Sequence, residues 1–157
     1  MRVLLTPYIG KNGDARRCHV IICKGRIMAL IAGDIHINLH TKENRTALTK
    51  MVMRLFDLWE IPVEDQAVLL NRSPSTVHRY RNGGCFANGD DILDRVGNLL
   101  GIHKCLRILY PYNEDIVYRW VSSKNRAFDW KEPIVVMKQG FDDMIAVRDH
   151  LESRLFV

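Results

Sequence analysis

Apolar residues along this chain follow two different rhythms, and the change of rhythm near Thr41 organises everything else. Before it, Arg17–Cys23 is rich in isoleucine and valine, Lys24-Gly25 reads as a turn, and Arg26–Ile31 resumes the apolar run. After Gly33-Asp34, the residues Ile35, Ile37 and Leu39 alternate with His36, Asn38 and His40. Alternation with a period of two is the signature of extended chain. Residues 1–40 are therefore expected to form an irregular or β-hairpin extension.

From Thr41 the period lengthens to three and four. Asn44 is a fair N-cap, and Leu48, Met51, Val52, Leu55, Phe56 and Trp59 trace one face of a helix ending near Glu60. Pro62 suits the first turn of a second helix, Val63 to Leu70, which stops at Asn71. Ser73-Pro74 repeats the device for a third helix, to about Arg81, closed by Asn82-Gly83-Gly84. A fourth helix, capped by Asn88 or Asp90, carries Ile92, Leu93, Val96, Leu99 and Leu100. A fifth runs from Ile102 to Leu109 before Pro111. A sixth carries Ile116, Val117, Trp120 and Val121. Pro133 opens a short seventh that stops at Gly140, and a last helix places Met144, Ile145, Val147, Leu151 and Leu155 near one face. The fold class expected is mainly α, with a helix-turn-helix bundle over 41–100 and a smaller helical domain over 101–157.

Composition adds little to this picture. Of 157 residues, 47 % are hydrophobic and 26 % charged, which fits a globular chain. The formal charge of +5 favours an anionic partner without singling one out. No apolar run approaches the roughly 20 residues of a membrane-spanning helix. The four cysteines form no secreted framework, which points to reduced thiols in a cytoplasm.

The informative stretch is Glu64–Gly84. In a helix-turn-helix the first helix needs a small residue where the second crosses it, and Ala67 fits. The turn needs a residue tolerant of positive φ, and Asn71 follows four positions later. Val77 and Tyr80 are spaced to dock the second helix. Removing those positions leaves Ser73, Ser75, Thr76, His78, Arg79 and Arg81, with Arg72 before them, as the candidate DNA-contacting set. Such side chains hydrogen-bond phosphates and base edges. No acidic residue occurs between Asp65 and Asp90, so the local field is expected to be positive.

DNA binding leaves Leu99–Leu155 unexplained. Its order is "LLGIHKCLRILYP", "YRWV", the loop "SSKNRAF", a proline-initiated helix, a glycine stop and "VRDHLES". Following a helix-turn-helix directly, this order resembles the Xre/MbcA/ParS antitoxins that pair with RES-domain toxins. The resemblance spans about two thirds of the chain, from near Leu55. It rests on Leu55–Trp59, Ser73–Gly83, Leu99–Leu109 with Pro111, Arg119-Trp120, Asn125-Arg126, Pro133 and Val147-Arg148. This chain departs from the family at Asn71 and Trp130, where glycine is frequent, and in having only Gly140 at the last stop.

The resemblance implies an all-helical homodimer that binds operator DNA upstream of its own operon. It also implies that 101–157 is a toxin-binding domain covering the active site of a RES toxin that consumes NAD. Asn125, Arg126, Arg148 and Arg154 are the toxin-facing candidates, since arginine suits a pocket that accepts a pyrophosphate. The competing reading has Asn125 capping its loop and Arg148 pairing with Glu152 at helical spacing. In the alternative function, the chain is a stand-alone helix-turn-helix regulator without a toxin.

One pattern is set aside. Cys18, Cys23, His36 and His40 satisfy the zinc-finger spacing. The histidines, however, lie in an alternating stretch where a finger needs a helix, and Gly33 falls where a finger needs a large apolar residue. No metal, no cofactor and no catalysis are expected, because no nucleophile has an evident base and no glycine loop cradles phosphate. Residues 1–40 are open to three readings: a hairpin, a dimerisation arm, or a tail from an over-long start with Met28 or Met51 as alternatives.

Overall fold

The computed structural model describes residues 18–23, 26–31 and 40–156. The chain divides into two units, Met1–Leu39 and His40–Val157.

In the first unit, β1 (Cys18–Cys23) and β2 (Arg26–Ile31) pair antiparallel, with Ile22 opposite Ile27 and Cys23 opposite Arg26. The expected hairpin strands are present. The alternating segment around Ile35–Leu39, with His36, lies outside the described residues, as do the turn residues Lys24 and Gly25. The cysteines of the zinc-like spacing are the two end residues of β1.

The second unit begins with α1 (Lys42–Leu58). Its cap is Thr41, whose hydroxyl accepts the Asn44 N–H at 3.3 Å, so Asn44 sits one turn inside the helix and not at its start. Thr41 is extended and carries its own side-chain oxygen, which suffices to satisfy an orphan donor of the first turn. Val52, Leu55, Phe56 and Trp59 are buried, whereas Met51 is 56 % exposed, off the side of the buried stripe. The helix α2 (Val63–Leu70) ends at Asn71 with φ +52, the left-handed stop its residue type favours. Ser73 then caps α3 (Pro74–Arg81), with proline in the first turn, and Gly83 turns the chain away at φ +94.

Gly101 does not break the next helix. The expected fourth and fifth helices are one, α4 (Asp90–Leu109), running unbroken across residues 100 and 101. A mid-helix glycine costs about 1 kcal/mol relative to alanine. Here it serves packing, because a Cβ on Gly101 would lie 3.0 Å from Arg148 Nε and 3.2 Å from its Cδ. The chain continues through α5 (Glu114–Arg119), a 3-10 turn at Trp120–Ser122, another at Arg126–Phe128, then α6 (Pro133–Met137) and α7 (Phe141–Ser153).

The helix α4 is the spine of this unit. It packs against α1, α2, α5 and α7. Accordingly it buries residues around most of its circumference, including Ile92, Val96, Leu99, Ile102 and Leu106. Lys138, just past α6, reaches back to both carboxylate oxygens of Asp65 on α2 at 2.9 Å, and Arg95 lies over the Phe141 ring.

Burial also sets the titration behaviour. His103 stacks on Tyr118 and meets Trp59 edge-on, and His150 meets Phe128 edge-on. The Nε2 atoms of both histidines are buried without a hydrogen-bond partner. Desolvation, reinforced by Arg107 and Arg154 respectively, holds both below their usual value of 6.5. A folded-state pKa lowered in this way means that the unfolded chain takes up more protons in acid. The stability the neutral rings provide is present above pH 6.5 and is lost as pH falls below it. The urea midpoint is expected to drop between pH 7.5 and pH 5.5, and His103→Phe to flatten that drop. A midpoint independent of pH over that window would contradict this.

Candidate nucleic-acid interface

The turn between α2 and α3 is built by small and apolar residues. Ala67 and Val77 are buried at the crossing, and Asn71 supplies the left-handed corner. Arg72 N–H donates to the Ala67 carbonyl at 2.8 Å, closing the end of α2. Tyr80, on the inner side of α3, is buried edge-on against Phe86 at 4.9 Å.

With Val77 and Tyr80 turned inward, α3 presents Ser75, His78 and Arg79 to solvent, with Thr76 half-buried. Ser73 Oγ lies 3.0 Å from both Ser75 Oγ and Thr76 Oγ1, gathering three hydroxyls at the first turn of the helix. That turn also bears the positive end of the helix dipole, the end that suits phosphate.

The three arginines are not equivalent. Arg81 donates to Asp57 Oδ1 at 2.8 Å and to Gln66 Oε1 at 3.1 Å, so its guanidinium ties α3 to α1 and α2. Arg72 pairs with Asp91 at 3.4 Å. Arg79 lies 5.9 Å from the Tyr80 ring centroid, and among the described residues it faces no carboxylate. The acid-free stretch of sequence is thus bordered in space by Asp57 and Asp91, which the tertiary fold brings in from α1 and α4. On the outward face of α3, Arg79 is the arginine left without a carboxylate among the described residues, with exposed His78 beside it.

Two supporting residues escaped the sequence reading. Gln66 is 1 % exposed and donates to the Ile61 carbonyl at 2.6 Å while accepting from Arg81. Its place, three after Val63 and four before Leu70, is a core spacing occupied by a polar residue, and that was the available signal. Phe86 is fully buried. Its N–H donates to Thr49 Oγ1 at 2.9 Å and its carbonyl accepts from Arg45 Nε at 2.9 Å, stitching the loop after α3 onto α1. Lying in a loop, Phe86 had no periodicity to betray it.

This arrangement, a capped second helix crossing a first at a small residue, is matched by known sequences. Residues 39–101 fit the family model of the antitoxin Xre-like helix-turn-helix domain. The chain carries an Xre-type antitoxin domain. "Uncharacterized protein y4oB" of Sinorhizobium fredii is 32 % identical over 104 residues, which is 64 % of this chain and 78 % of that protein. The two chains belong to one family. The Xre-like domain is a DNA-binding, regulatory one, and its matched span takes in α1 to α3 and the first half of α4. Among the described residues no helix is long and apolar enough to cross a membrane.

The residues expected to face a toxin lie beyond that span, and the structure divides them. Arg126 and Arg154 are exposed. Asn125 Oδ1 accepts the Ala127 N–H at 2.9 Å, so its side chain caps the loop. Arg148 is a correction. It is 7 % exposed, donates to Glu152 at 2.7 Å and to Asn98 Oδ1 at 3.2 Å, and fills the notch over Gly101. It holds α7 on α4 and is not a surface group. Cys105 is likewise interior. Burial first, then Glu152, pushes its thiol up to about 11, against the weaker pull of Arg148 and Lys104.

Proposed function

We propose that this chain is the antitoxin of a RES-domain toxin, a cytoplasmic homodimer that represses its own operon through 41–100 and neutralises the toxin through 101–157. The observation that carries the DNA half is the outward face of α3. Its inward residues are fixed by the core, and Ser75, His78 and Arg79 are displayed at the end of a capped helix. In this reading Ser73, Ser75 and Thr76 meet phosphates, Arg79 and His78 reach base edges, and Arg72 flanks the backbone. Arg81 acts by holding α3 in place.

The toxin half is supported by the Xre-like antitoxin match and by the resemblance of the C-terminal order to MbcA/ParS proteins. Arg126 and Arg154 are the exposed cations available for a cleft that binds NAD. The family match itself covers only the helix-turn-helix, residues 39–101. A regulator with no toxin therefore remains the second reading.

The gene beside this one separates the two. A RES-domain frame whose product arrests growth, is rescued by this chain and co-purifies with it supports the antitoxin. A product that is neither rescued nor bound leaves the regulator. For the DNA half, Arg79→Ala is expected to weaken binding to the upstream operator by about 1–3 kcal/mol, and to lower the salt slope by about 1 if the contact is to phosphate. Arg81→Ala should instead lower the melting temperature. Unchanged operator affinity in a folded Arg79→Ala protein would remove it from the interface.

A further inference from the structure

Between the Trp120–Ser122 turn and α6 the chain forms a small, closed loop. Asn125 N–H donates to the Lys131 carbonyl at 3.1 Å, and the Asn125 carbonyl accepts from both Phe128 and Trp130 at 3.0 Å. Lys131 N–H donates to the Phe128 carbonyl at 2.9 Å. The Phe128 ring is set edge-on to Trp120 and His150. With its ends tied and its middle wedged, this loop has a defined shape.

At its tip, Asp129 and Trp130 stand back to back in the left-handed region, at φ +53 and +61. Aspartate tolerates that region, whereas a bulky side chain with positive φ is an outlier that the surrounding structure must enforce. Burial of the indole would offset the strain, yet Trp130 is 66 % exposed. The isolated chain thus holds a strained tryptophan in water and gains no core from it. In the loop Lys124, Arg126 and Lys131 are exposed, against the carboxylates of exposed Asp129 and half-buried Glu132.

We propose that Trp130 is the anchor of the toxin interface, a pre-shaped aromatic that enters an apolar pocket on an acid-rimmed toxin surface and sets which toxin is accepted. This rests on the antitoxin reading above. Tryptophan and arginine are the residues that dominate binding energy at interfaces, and a rigid loop loses little freedom when it docks. A second copy of this chain is the poorer occupant. A two-fold contact of the loop with itself would set Lys124, Arg126 and Lys131 against their own copies.

The test uses the full chain and the RES-domain protein that the antitoxin reading requires beside its gene, with Trp130→Gly and Trp130→Phe. Glycine removes the ring and relieves the backbone; phenylalanine keeps an aromatic. Trp130→Gly is expected to bind the toxin at least about tenfold more weakly, with an unchanged or higher melting temperature, unchanged operator affinity and unchanged oligomeric state. Trp130→Phe should recover most of the affinity. Equal toxin binding by Trp130→Gly overturns the anchor alone. So does a melting temperature several degrees lower, which would make Trp130 a packing residue, or a dimer that falls apart. Failure of the unaltered chain to bind the toxin overturns both the anchor and the antitoxin reading.

Discussion

Phe86→Ala is expected to lower the unfolding free energy by about 3–5 kcal/mol, the range for deleting a fully buried aromatic ring. The ring has no exposed surface and meets Tyr80 edge-on at 81°, while the backbone on either side of it is bonded to Thr49 and Arg45 of α1. Truncation would leave a cavity directly under α3, so the loss falls on the helix that carries Ser75, His78 and Arg79. Because a domain of this kind is stable by only about 5–15 kcal/mol, operator affinity should fall with temperature well before the wild type melts. Phe86→Leu keeps most of the volume and should cost less than about 2 kcal/mol. Urea titrations read both values, the midpoint shifting without a change in slope. A cost below about 1 kcal/mol for alanine would mean that the loop does not support α3.

The second large effect concerns Arg148. Its side chain is 8 % exposed, and Arg148→Ala strands Asn98 Oδ1 in the interior and unpairs Glu152. Removing one member of a buried pair costs about 3–5 kcal/mol. Glu152 is 37 % exposed and keeps part of its hydration, so about 2–3 kcal/mol is the expected loss, scaled from that range. Gly101 supplies a sharper check. Gly101→Ala gains about 1 kcal/mol of helix propensity but brings a Cβ to 3.0 Å from a guanidinium pinned by two hydrogen bonds. In the wild-type background the substitution should destabilise. In an Arg148→Ala background the obstruction is gone and the same change should stabilise. This reversal of sign is the mark of two sites sharing one contact, and additive effects would disprove the notch.

Several features of the Xre-type antitoxin domain are legible in the sequence alone. Asn71 and Ser73-Pro74 encode their turn and cap locally, through the left-handed tolerance of asparagine and the pre-set φ of proline, so α2 and α3 begin and end where their residues say. The same holds for the hairpin strands β1 and β2, whose apolar runs flank Lys24-Gly25. The inward and outward sides of α3 followed from helical spacing alone.

What sequence could not decide was anything whose cause lies far along the chain. Gly101 reads locally as a break and Arg148 as a surface charge. Each is explained only by the other, 47 positions away by their residue numbers. Arg72 and Arg81 look like free cations until α4 and α1 bring Asp91 and Asp57 to them. Phe86 belongs to no periodic pattern and is core because α1 and α3 close over it. Local backbone preference and capping act over one helical turn and are written in neighbouring letters. Burial and charge pairing depend on distance in space, which only the folded chain defines.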